Sequence, residues 1–218
     1  MTTPDKQRLA QLLVDTGAVR FGRFTTKSGR SSPYFVNLGA IHHGEQIAQL
    51  ADLYAGGIAE HFAVEPPSCL FGPAYKAIPL AVATAISASR RLGLSLSYTF
   101  NRKEAKTHGE AGTLVGREPE ADDRVLIVDD VVTDGGAKRE AVGLLRSRSA
   151  ARIVGLLIAV DRMERGSGST SALAELQAEF GFATAALITI EEVVELASVA
   201  AEQRRTVRRH LERYRAAG

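Results

Sequence analysis

Up to about residue 68, the apolar positions recur at helical spacing in two stretches, residues 4–16 and 44–62, and each stretch predicts a helix. Between them, residues 21–39 are rich in β-branched and aromatic side chains but are interrupted by Gly29 and Pro33. Such a stretch predicts two short strands joined by a turn and paired antiparallel. The N-terminal part therefore predicts a small antiparallel piece outside the central sheet.

From residue 68 onward, short apolar runs alternate with segments of helix length. The runs are residues 68–72, 94–100, 124–128, 152–160 and 184–190, and the helical segments include 77–91, 136–147 and a helix near 170–180, with closing helices at the C-terminus. Fully apolar runs between amphipathic helices are typical of a parallel sheet covered on both faces. The sequence therefore predicts an α/β fold, in which ligands bind beyond the carboxyl ends of the strands.

Composition narrows the class of protein. The chain has 218 residues, of which 45% are apolar and 24% charged, as in ordinary globular proteins. No apolar run reaches the roughly 18 residues of a membrane span, and the N-terminal residues lack signal-peptide character, so we expect no membrane association. The single Cys69 excludes a disulfide scaffold and favours a reducing, cytoplasmic compartment. A net charge of +2 is too balanced to indicate a nucleic-acid partner.

The most informative segment is RVLIVDDVVTDGGAKRE, residues 124–140, in which an apolar run leads into Asp129 and Asp130 and then into Gly135 and Gly136 at a helix start. A glycine pair lets several N–H groups point at one small volume, and a helix N-terminus favours an anion. Paired carboxylates suit sugar hydroxyls, which donate hydrogen bonds to them. A ligand that has a 5′-phosphate and free ribose hydroxyls accounts for both the glycine turn and the paired carboxylates. The alternative is a helix with an Asp cap in its first turn and no ligand. No Lys-Ser/Thr pair follows the glycines, which excludes a Walker loop.

Two further strand ends carry cationic side chains. After the run 68–72, a Gly-Pro turn leads to Tyr75 and Lys76, which fit a second anion or, alternatively, a solvated turn. After the run 94–100, residues 101–116 predict a polar, glycine-bearing loop that closes over a polyanion, with a solvated charge run as the alternative. The cationic or ionisable side chains of this segment are Arg102, Lys103, Lys106 and His108. Together, the three strand ends suit a sugar that carries phosphate at both ends.

The sequence also resembles a known family. VLIVDDVVTDGG resembles the phosphoribosyl-pyrophosphate (PRPP) motif of type I phosphoribosyltransferases. FTTKSGRSSPYF (24–35), FGPAYK (71–76), NRKEAKTHGE (101–110) and DRMERG (161–166) resemble the orotate phosphoribosyltransferases in order and spacing. The resemblance implies transfer of phosphoribose from PRPP to orotate, giving orotidine 5′-monophosphate (OMP) and pyrophosphate in pyrimidine biosynthesis. Mg²⁺ is expected as a cofactor chelated mainly by PRPP, with no metal ligands from the protein.

The same resemblance implies an architecture. It is a type I phosphoribosyltransferase fold, with a central, mostly parallel sheet flanked by helices. Residues 1–40 are expected to form an N-terminal hood, with contributions from the C-terminal part, and residues 41–218 the PRPP-binding core with a mobile loop over 101–113. This loop is expected to act as a lid that reaches into the neighbouring subunit's site, so a homodimer is expected.

The resemblance further implies roles for individual residues. PRPP contacts are expected from Lys27, Tyr75, Lys76, Arg102, Lys103, Lys106, His108, Asp129, Asp130, Val131, Val132, Thr133, Asp134, Gly135, Gly136 and Ala137. Orotate contacts are expected from Phe35, Val36, Thr133 and Arg162, with Arg162 pairing with the orotate carboxylate. The expected catalytic residues are Lys106, His108, Lys76 and Asp130. The positive charges among them would neutralise the departing pyrophosphate while the lid excludes water.

The chain departs from the family pattern at a few positions. Asp134 and Gly136 stand in a loop that is usually Thr-Ala-Gly-Thr-Ala, Ala77 replaces a usual Gly, and Val36 replaces a common Phe. A carboxylate beside a phosphate lowers affinity unless Asp134 points outward. The arginines of the last helix predict a solvated or dimer-facing surface; they are Arg204, Arg205, Arg208, Arg209 and Arg213.

Two other functions remain open from the sequence. One is a phosphoribosyltransferase for a different base, against which Arg162 and the TKSGR block argue. The other is a non-catalytic regulator that senses PRPP. Such a protein would not need the block at residues 101–110, which is complete here.

Overall fold

A computed structural model describes residues 1–26, 29–106, 112–166 and 168–216 of the chain, without the side chains of residues 105, 106 and 112. The helices within these residues are α1 (Thr3–Asp15), α2 (Gly44–His61), α3 (Ala77–Leu92), α4 (Gly136–Arg148), α5 (Ala172–Phe180), α6 (Ile190–Leu196) and α7 (Ala201–Tyr214). The strands are β1 (Val19–Thr25), β2 (Ser31–Val36), β3 (Cys69–Phe71), β4 (Ser97–Lys106), β5 (Gly112–Gly116), β6 (Arg124–Val131), β7 (Arg152–Asp161) and β8 (Ala183–Thr189).

Six strands form one sheet in the order β5-β4-β3-β6-β7-β8. All neighbours in this sheet pair parallel except β4 and β5, which pair antiparallel. β1 and β2 form a separate antiparallel pair, as the interrupted stretch 21–39 predicts. The α/β prediction with a mostly parallel sheet is confirmed.

The apolar runs have no polar alternation because both faces of the sheet are covered. In β6, Val125 and Ile127 pack into a cluster with residues of α4 and α5. Leu126 and Val128 point the other way, into a larger cluster with residues of α1, α2 and α3. Successive residues of a strand point to opposite faces, so a strand between two helical layers must be apolar throughout. The same alternation decides where the carboxylates at the end of β6 point.

Two strands extend further than the apolar runs indicate. The prediction of a loop over residues 101–116 is wrong for its described part, because β4 continues to Lys106 and returns antiparallel as β5. β5 is the edge strand of the sheet, and the extended part of β4 pairs with it. At such an edge, polar side chains can face solvent while the backbone groups are still paired. β6 likewise continues to Val131, so that Asp129 and Asp130 lie within the strand rather than after it.

The N-terminal pair of strands packs against the C-terminal helix. The Tyr34 ring of β2 meets the His210 ring of α7 edge to face, with 5.9 Å between the ring centroids. The α1 residues Leu9 and Leu13 belong to the same core cluster as Val207 of α7. The two ends of the chain therefore contribute to one core cluster. Among the described residues, no helix is both long and apolar enough to cross a bilayer.

The strand order reverses beside β3. The chain runs from β3 outward through β4 to β5 and then returns to place β6 on the other side of β3. At such a reversal, the loops after the two neighbouring strands diverge and leave a crevice at their carboxyl ends. The turn at residues 72–76 and the loop at 132–136 flank that crevice.

Candidate active site

A cleft of about 560 Å³ lies at the strand-order reversal, between the core and the β1–β2 pair. Most of the predicted site residues line it: Phe35, Val36, Tyr75, Lys76, Lys103, Asp129, Asp130, Val131, Thr133, Asp134, Ala137 and Arg162. A smaller cavity of about 200 Å³ adjoins it and is lined by Val132, Thr133, Asp134 and Arg162 among the predicted residues. The structure thus brings together residues that are more than 100 positions apart in the sequence.

Asp129 and Asp130 point to opposite faces of the sheet, as neighbouring strand residues must. Asp129 lies on the α4 side, where its Oδ2 pairs with the buried ammonium of Lys138. Its Oδ1 accepts a hydrogen bond from the backbone N–H of Asp130 at 2.8 Å. The Tyr54 hydroxyl donates to the backbone carbonyl of Asp129 at 2.7 Å, which ties the strand end to α2. Asp129 is therefore held rigidly by groups of the protein.

Asp130 is the freer carboxylate. Its Oδ1 accepts from the backbone N–H of Val131 at 2.8 Å, and its Oδ2 lies 3.7 Å from the ammonium of Lys76. Burial and the neighbouring Asp129 charge raise the pKa of Asp130 from its ordinary 3.8 to about 6, against the opposing effects of Lys138 and Lys76. A carboxylate with one uncommitted oxygen at the cleft wall can accept hydrogen bonds from ligand hydroxyls.

The loop after β6 turns into α4 through Gly135, which has a φ of +77°. A side chain is strained in that conformation, so the position requires glycine. α4 begins with no side-chain cap at Gly135, which leaves N–H groups of its first turn for an anion. Two of these N–H groups are already used: that of Gly136 donates to the Asp134 Oδ1 at 3.0 Å, and that of Lys138 donates to the Gly135 carbonyl at 3.0 Å. The short Asp134 side chain thus closes a local turn, and Asp134 lines both cavities rather than lying away from them.

The turn after β3 brings Tyr75 and Lys76 to the opposite wall of the cleft. Its backbone is fixed by the N–H of Ala74, which donates to the Asn101 Oδ1 at 2.8 Å. Tyr75 is 67% exposed, and the ammonium of Lys103 lies 5.7 Å from its ring centroid. Lys76 precedes the first residue of α3 and reaches across the cleft toward β6. Two cations, Lys76 from this turn and Lys103 from β4, thus line the cleft together with the two aspartates.

Arg162 follows β7 and lies where the two cavities join. It is only 6% exposed, and its guanidinium lies 4.5 Å from the Tyr34 ring centroid. One terminal nitrogen donates to Ser32 Oγ at 3.2 Å and to Glu164 Oε1 at 2.6 Å. Its other N–H groups remain for a ligand in the cavities.

Phe35 and Val36 border the cleft on the β2 side. Phe35 is 37% exposed and stacks on Phe24, with 5.6 Å between the ring centroids, whereas Val36 is buried. The guanidinium of Arg20 lies 5.6 Å from the Phe35 ring centroid on the β1 side. An exposed aromatic surface at a cleft suits a flat ligand ring.

Some predicted residues lie elsewhere. Lys27 and His108 lie outside the described residues, as does the side chain of Lys106. Arg102 is half-buried on β4 and is not among the residues lining either cavity. Gly135 and Gly136 shape the loop without lining the cavities. For all of these residues, binding to PRPP stays a prediction.

Sequence reasoning missed two charged residues at the site, Lys138 and Glu164. A lysine in the first turn of a helix is unfavourable with respect to the helix dipole. That position was the available signal that Lys138 has a specific partner, which is Asp129. For Glu164, the sequence carries no such signal, because three of its partners, Arg30, Tyr34 and His210, are distant in the chain.

Comparisons with known proteins agree with this geometry. Residues 37–175 match the phosphoribosyl transferase domain family. An orotate phosphoribosyltransferase of Clostridium beijerinckii is 45% identical over 190 residues, covering 87% of this chain and 84% of that protein. One from Bifidobacterium animalis subsp. lactis is 46% identical over 198 residues, covering 88% and 86%. The crystal structure of the Francisella tularensis orotate phosphoribosyltransferase matches with a TM-score of 0.77 and 32% identity, covering 94% of this chain and 98% of that one.

A doubly flanked sheet with paired carboxylates and a glycine-started helix at its reversal point, together with the domain match, defines a type I phosphoribosyltransferase. Within that class, the two relatives and the crystal structure named above are orotate phosphoribosyltransferases, and each match covers most of both chains. The chain belongs to the orotate phosphoribosyltransferase family.

Proposed function

We propose that the chain transfers the 5-phosphoribosyl group of PRPP to orotate, releasing pyrophosphate and forming OMP, a step of pyrimidine biosynthesis. The observation that carries this proposal is the cleft itself. It combines Asp130 and Lys76, whose charged atoms are 3.7 Å apart, with the start of α4 and with Arg162. A ligand that has hydroxyls, phosphates at both ends and an anionic acceptor nearby matches this set of groups.

The charged groups that line the cleft indicate how each part of PRPP would bind. Asp130 would accept hydrogen bonds from the ribose hydroxyls, with Asp129 held behind it by Lys138. The first turn of α4 would receive the 5-phosphate, because its N–H groups and the helix dipole favour an anion. Tyr75, Lys76 and Lys103 would hold the pyrophosphate. Asp134 would have to release the N–H of Gly136 for the phosphate to use it.

The orotate end adjoins the β1–β2 pair. Phe35 and Val36 would border the flat ring, and Thr133 lines both cavities between the two substrates. Arg162 would pair with the orotate carboxylate through the N–H groups that the protein leaves unused. Orotate bound in this way would lie next to the ribose that it attacks rather than beyond the pyrophosphate.

Glycosyl transfer develops positive charge at C1′ of the ribose while pyrophosphate leaves. We propose that Lys76, Lys106 and His108 neutralise the leaving group, a kind of charge stabilisation worth about 10²–10³-fold in rate per group. His108 would serve as the acid for the departing pyrophosphate, because histidine is the side chain whose unperturbed pKa lies nearest to neutral pH. Lys27 would contact PRPP from the β1–β2 turn, and Arg102 from β4. Closure of the part of residues 101–113 that lies between β4 and β5 would exclude water, which competes with orotate.

We further propose Mg²⁺ as the cofactor. In phosphate sites Mg²⁺ is usually held by one or two carboxylates together with substrate phosphates. PRPP would supply most of the ligands here, because Asp129 is already paired with Lys138. This donor set fits a cation that enters with PRPP. When bound, it would offset the charge of the pyrophosphate.

The remaining proposals concern the whole chain. We propose a hood of residues 1–40, supported by the separate β1–β2 pair, over a core of residues 41–218. We propose a homodimer in which each lid serves the partner's site, and sedimentation at the mass of one 23.3 kDa chain would contradict it. A cytoplasmic location is supported by Cys69, a buried, unpaired thiol.

The experiment is a spectrophotometric assay of the purified chain with PRPP and Mg²⁺, run in parallel with orotate, uracil and hypoxanthine. The absorbance of orotate should fall with time, whereas the other two bases should not react. Reaction with one of the other bases would identify a phosphoribosyltransferase of different specificity. Binding of PRPP without reaction of any base would indicate a regulator.

A further inference from the structure

A buried carboxylate, Glu164, is the centre of a polar cluster behind the orotate end of the cleft. Its Oε1 accepts from the Tyr34 hydroxyl at 2.5 Å and from Arg162 at 2.6 Å, and lies 3.1 Å from His210 Nε2. Its Oε2 accepts from Arg30 at 3.1 Å. These partners come from β2, from the segments flanking the strands and from α7, so the cluster joins distant parts of the chain.

The cluster holds Glu164 ionised. Burial alone would raise the pKa of Glu164, but the His210 hydrogen bond, the Arg162 charge and the Tyr34 hydrogen bond together lower it to about 2. An ionised carboxylate can only accept, so the His210 Nε2 facing it must carry a proton. Burial raises the pKa of Tyr34 well above its ordinary 10, which keeps its hydroxyl a donor.

The geometry leaves Arg162 with a single orientation. Its guanidinium is fixed by Glu164 and Ser32 through one terminal nitrogen and lies over the Tyr34 ring. Arg30 and Arg162 carry two positive charges, and Glu164 offsets one of them. These three side chains line the smaller cavity together with Arg165, Asp134 and Asp161, so the positive charge that an incoming carboxylate meets is that of the guanidinium groups rather than of the whole wall.

We propose that Glu164 is the positioning residue for orotate recognition: it aims the Arg162 guanidinium at the junction of the two cavities, with Tyr34, Arg30 and His210 as its supports. The inference deepens the proposed function and rests on it. Glu164 does not touch the substrate. It acts through Arg162, whose fixed fork selects a planar carboxylate over a base that lacks one.

The test is Glu164→Gln in the full-length chain, with initial rates measured against orotate at saturating PRPP and against PRPP at saturating orotate. Glutamine keeps the shape but loses the charge and presents N–H groups to donors. The KM for orotate should rise about 10- to 100-fold, since small misplacements of a positioning group cost up to about 10²-fold. The KM for PRPP should change less than about twofold, and inhibition by uracil, which has no carboxylate, should not change.

A matched control is Glu118→Gln. Glu118 is an exposed carboxylate whose Oε1 lies 3.6 Å from Arg148 Nε, and it lines neither cavity, so its loss should leave both KM values unchanged. Tyr34→Phe removes one donor from the same Glu164 oxygen and should raise the KM for orotate in the same direction by a smaller factor. This variant takes the place of Glu164→Gln if the latter does not fold.

The outcomes separate the two proposals. An unchanged KM for orotate in both cluster variants, or an equal rise in both KM values, would overturn the positioning role. Failure of the unsubstituted chain to consume orotate would instead contradict the proposed function.

Discussion

Asp130 shows how one side chain can combine a stability cost with a binding role. It is only 8% exposed and follows directly on Asp129, whose charge is already matched by Lys138. Its own ion-pair partner among the described residues, Lys76, lies 3.7 Å away and is half exposed. A buried carboxylate with incomplete pairing costs folding free energy when it ionises, which is common at functional sites.

This cost gives a pH-dependent prediction for Asp130→Asn. The pKa of Asp130 is about 6 in the folded chain, above its ordinary 3.8. The folded state therefore binds the proton more tightly, and stability falls as pH rises from about 4 through 6. The asparagine variant escapes that loss, so it should be more stable than the parent at pH 8, by on the order of 2 kcal/mol, with the difference shrinking toward pH 4.

Urea unfolding of the two proteins at pH 4.5, 6 and 8 measures this difference. A variant that is less stable than the parent at pH 8 would show that Lys76 outweighs burial and repulsion. The gain in stability and the loss of binding predicted for the same substitution below are a trade-off typical of active sites.

At the scale of elements, the turn after β3 depends on the close approach of two backbones. A side-chain carbon added at Gly72 would collide with the backbone carbonyl of Ala77 at the start of α3. Backbone atoms move less readily than the end of a side chain. Glycine is therefore required where β3 passes into the turn that carries Tyr75 and Lys76.

Gly72→Ala should destabilise the chain by about 1–3 kcal/mol, the usual cost of overpacking. Gly143→Ala is its control, because Gly143 lies in α4 with open space around it. There alanine should stabilise by about 0.5–1 kcal/mol through helix propensity. Equal effects of the two substitutions in urea unfolding would refute the close-approach argument.

Most elements could be predicted from the sequence, because their apolar spacing is local information. The helices α1 and α2 and the strand β7 lie within one or two residues of the predicted bounds. The extension of β4 to Lys106 was not predictable from polarity, since this part of β4 is held by backbone pairing with the edge strand β5 rather than by apolar side chains. The glycine pair in the sequence indicated a tight turn at Gly135, but it did not indicate where the Asp134 side chain lies.

On the scale of the whole molecule, the site is an assembly of distant segments. The hydrogen bond from Tyr34 to Glu164 joins residues 130 positions apart, and the pair Lys6–Glu192 joins the two ends of the chain. Each motif that lines the cleft could be recognised from the sequence alone as a candidate part of the site. Which of their side chains meet depends on sheet order and helix packing, so the Glu164 cluster emerged only with the structure.

The central claim is that the cleft at the strand-order reversal binds PRPP through Asp130. Calorimetric titration of PRPP with Mg²⁺ at pH 8 tests it most directly, using the parent chain, Asp130→Asn and the control Asp122→Asn, whose exposed side chain lies outside the cleft. Loss of hydrogen bonds to a charged acceptor costs about 1.5–3 kcal/mol, so the affinity of Asp130→Asn should fall at least about tenfold. The control should bind like the parent. Equal affinities of the parent and Asp130→Asn, or no binding to the parent, would contradict the account.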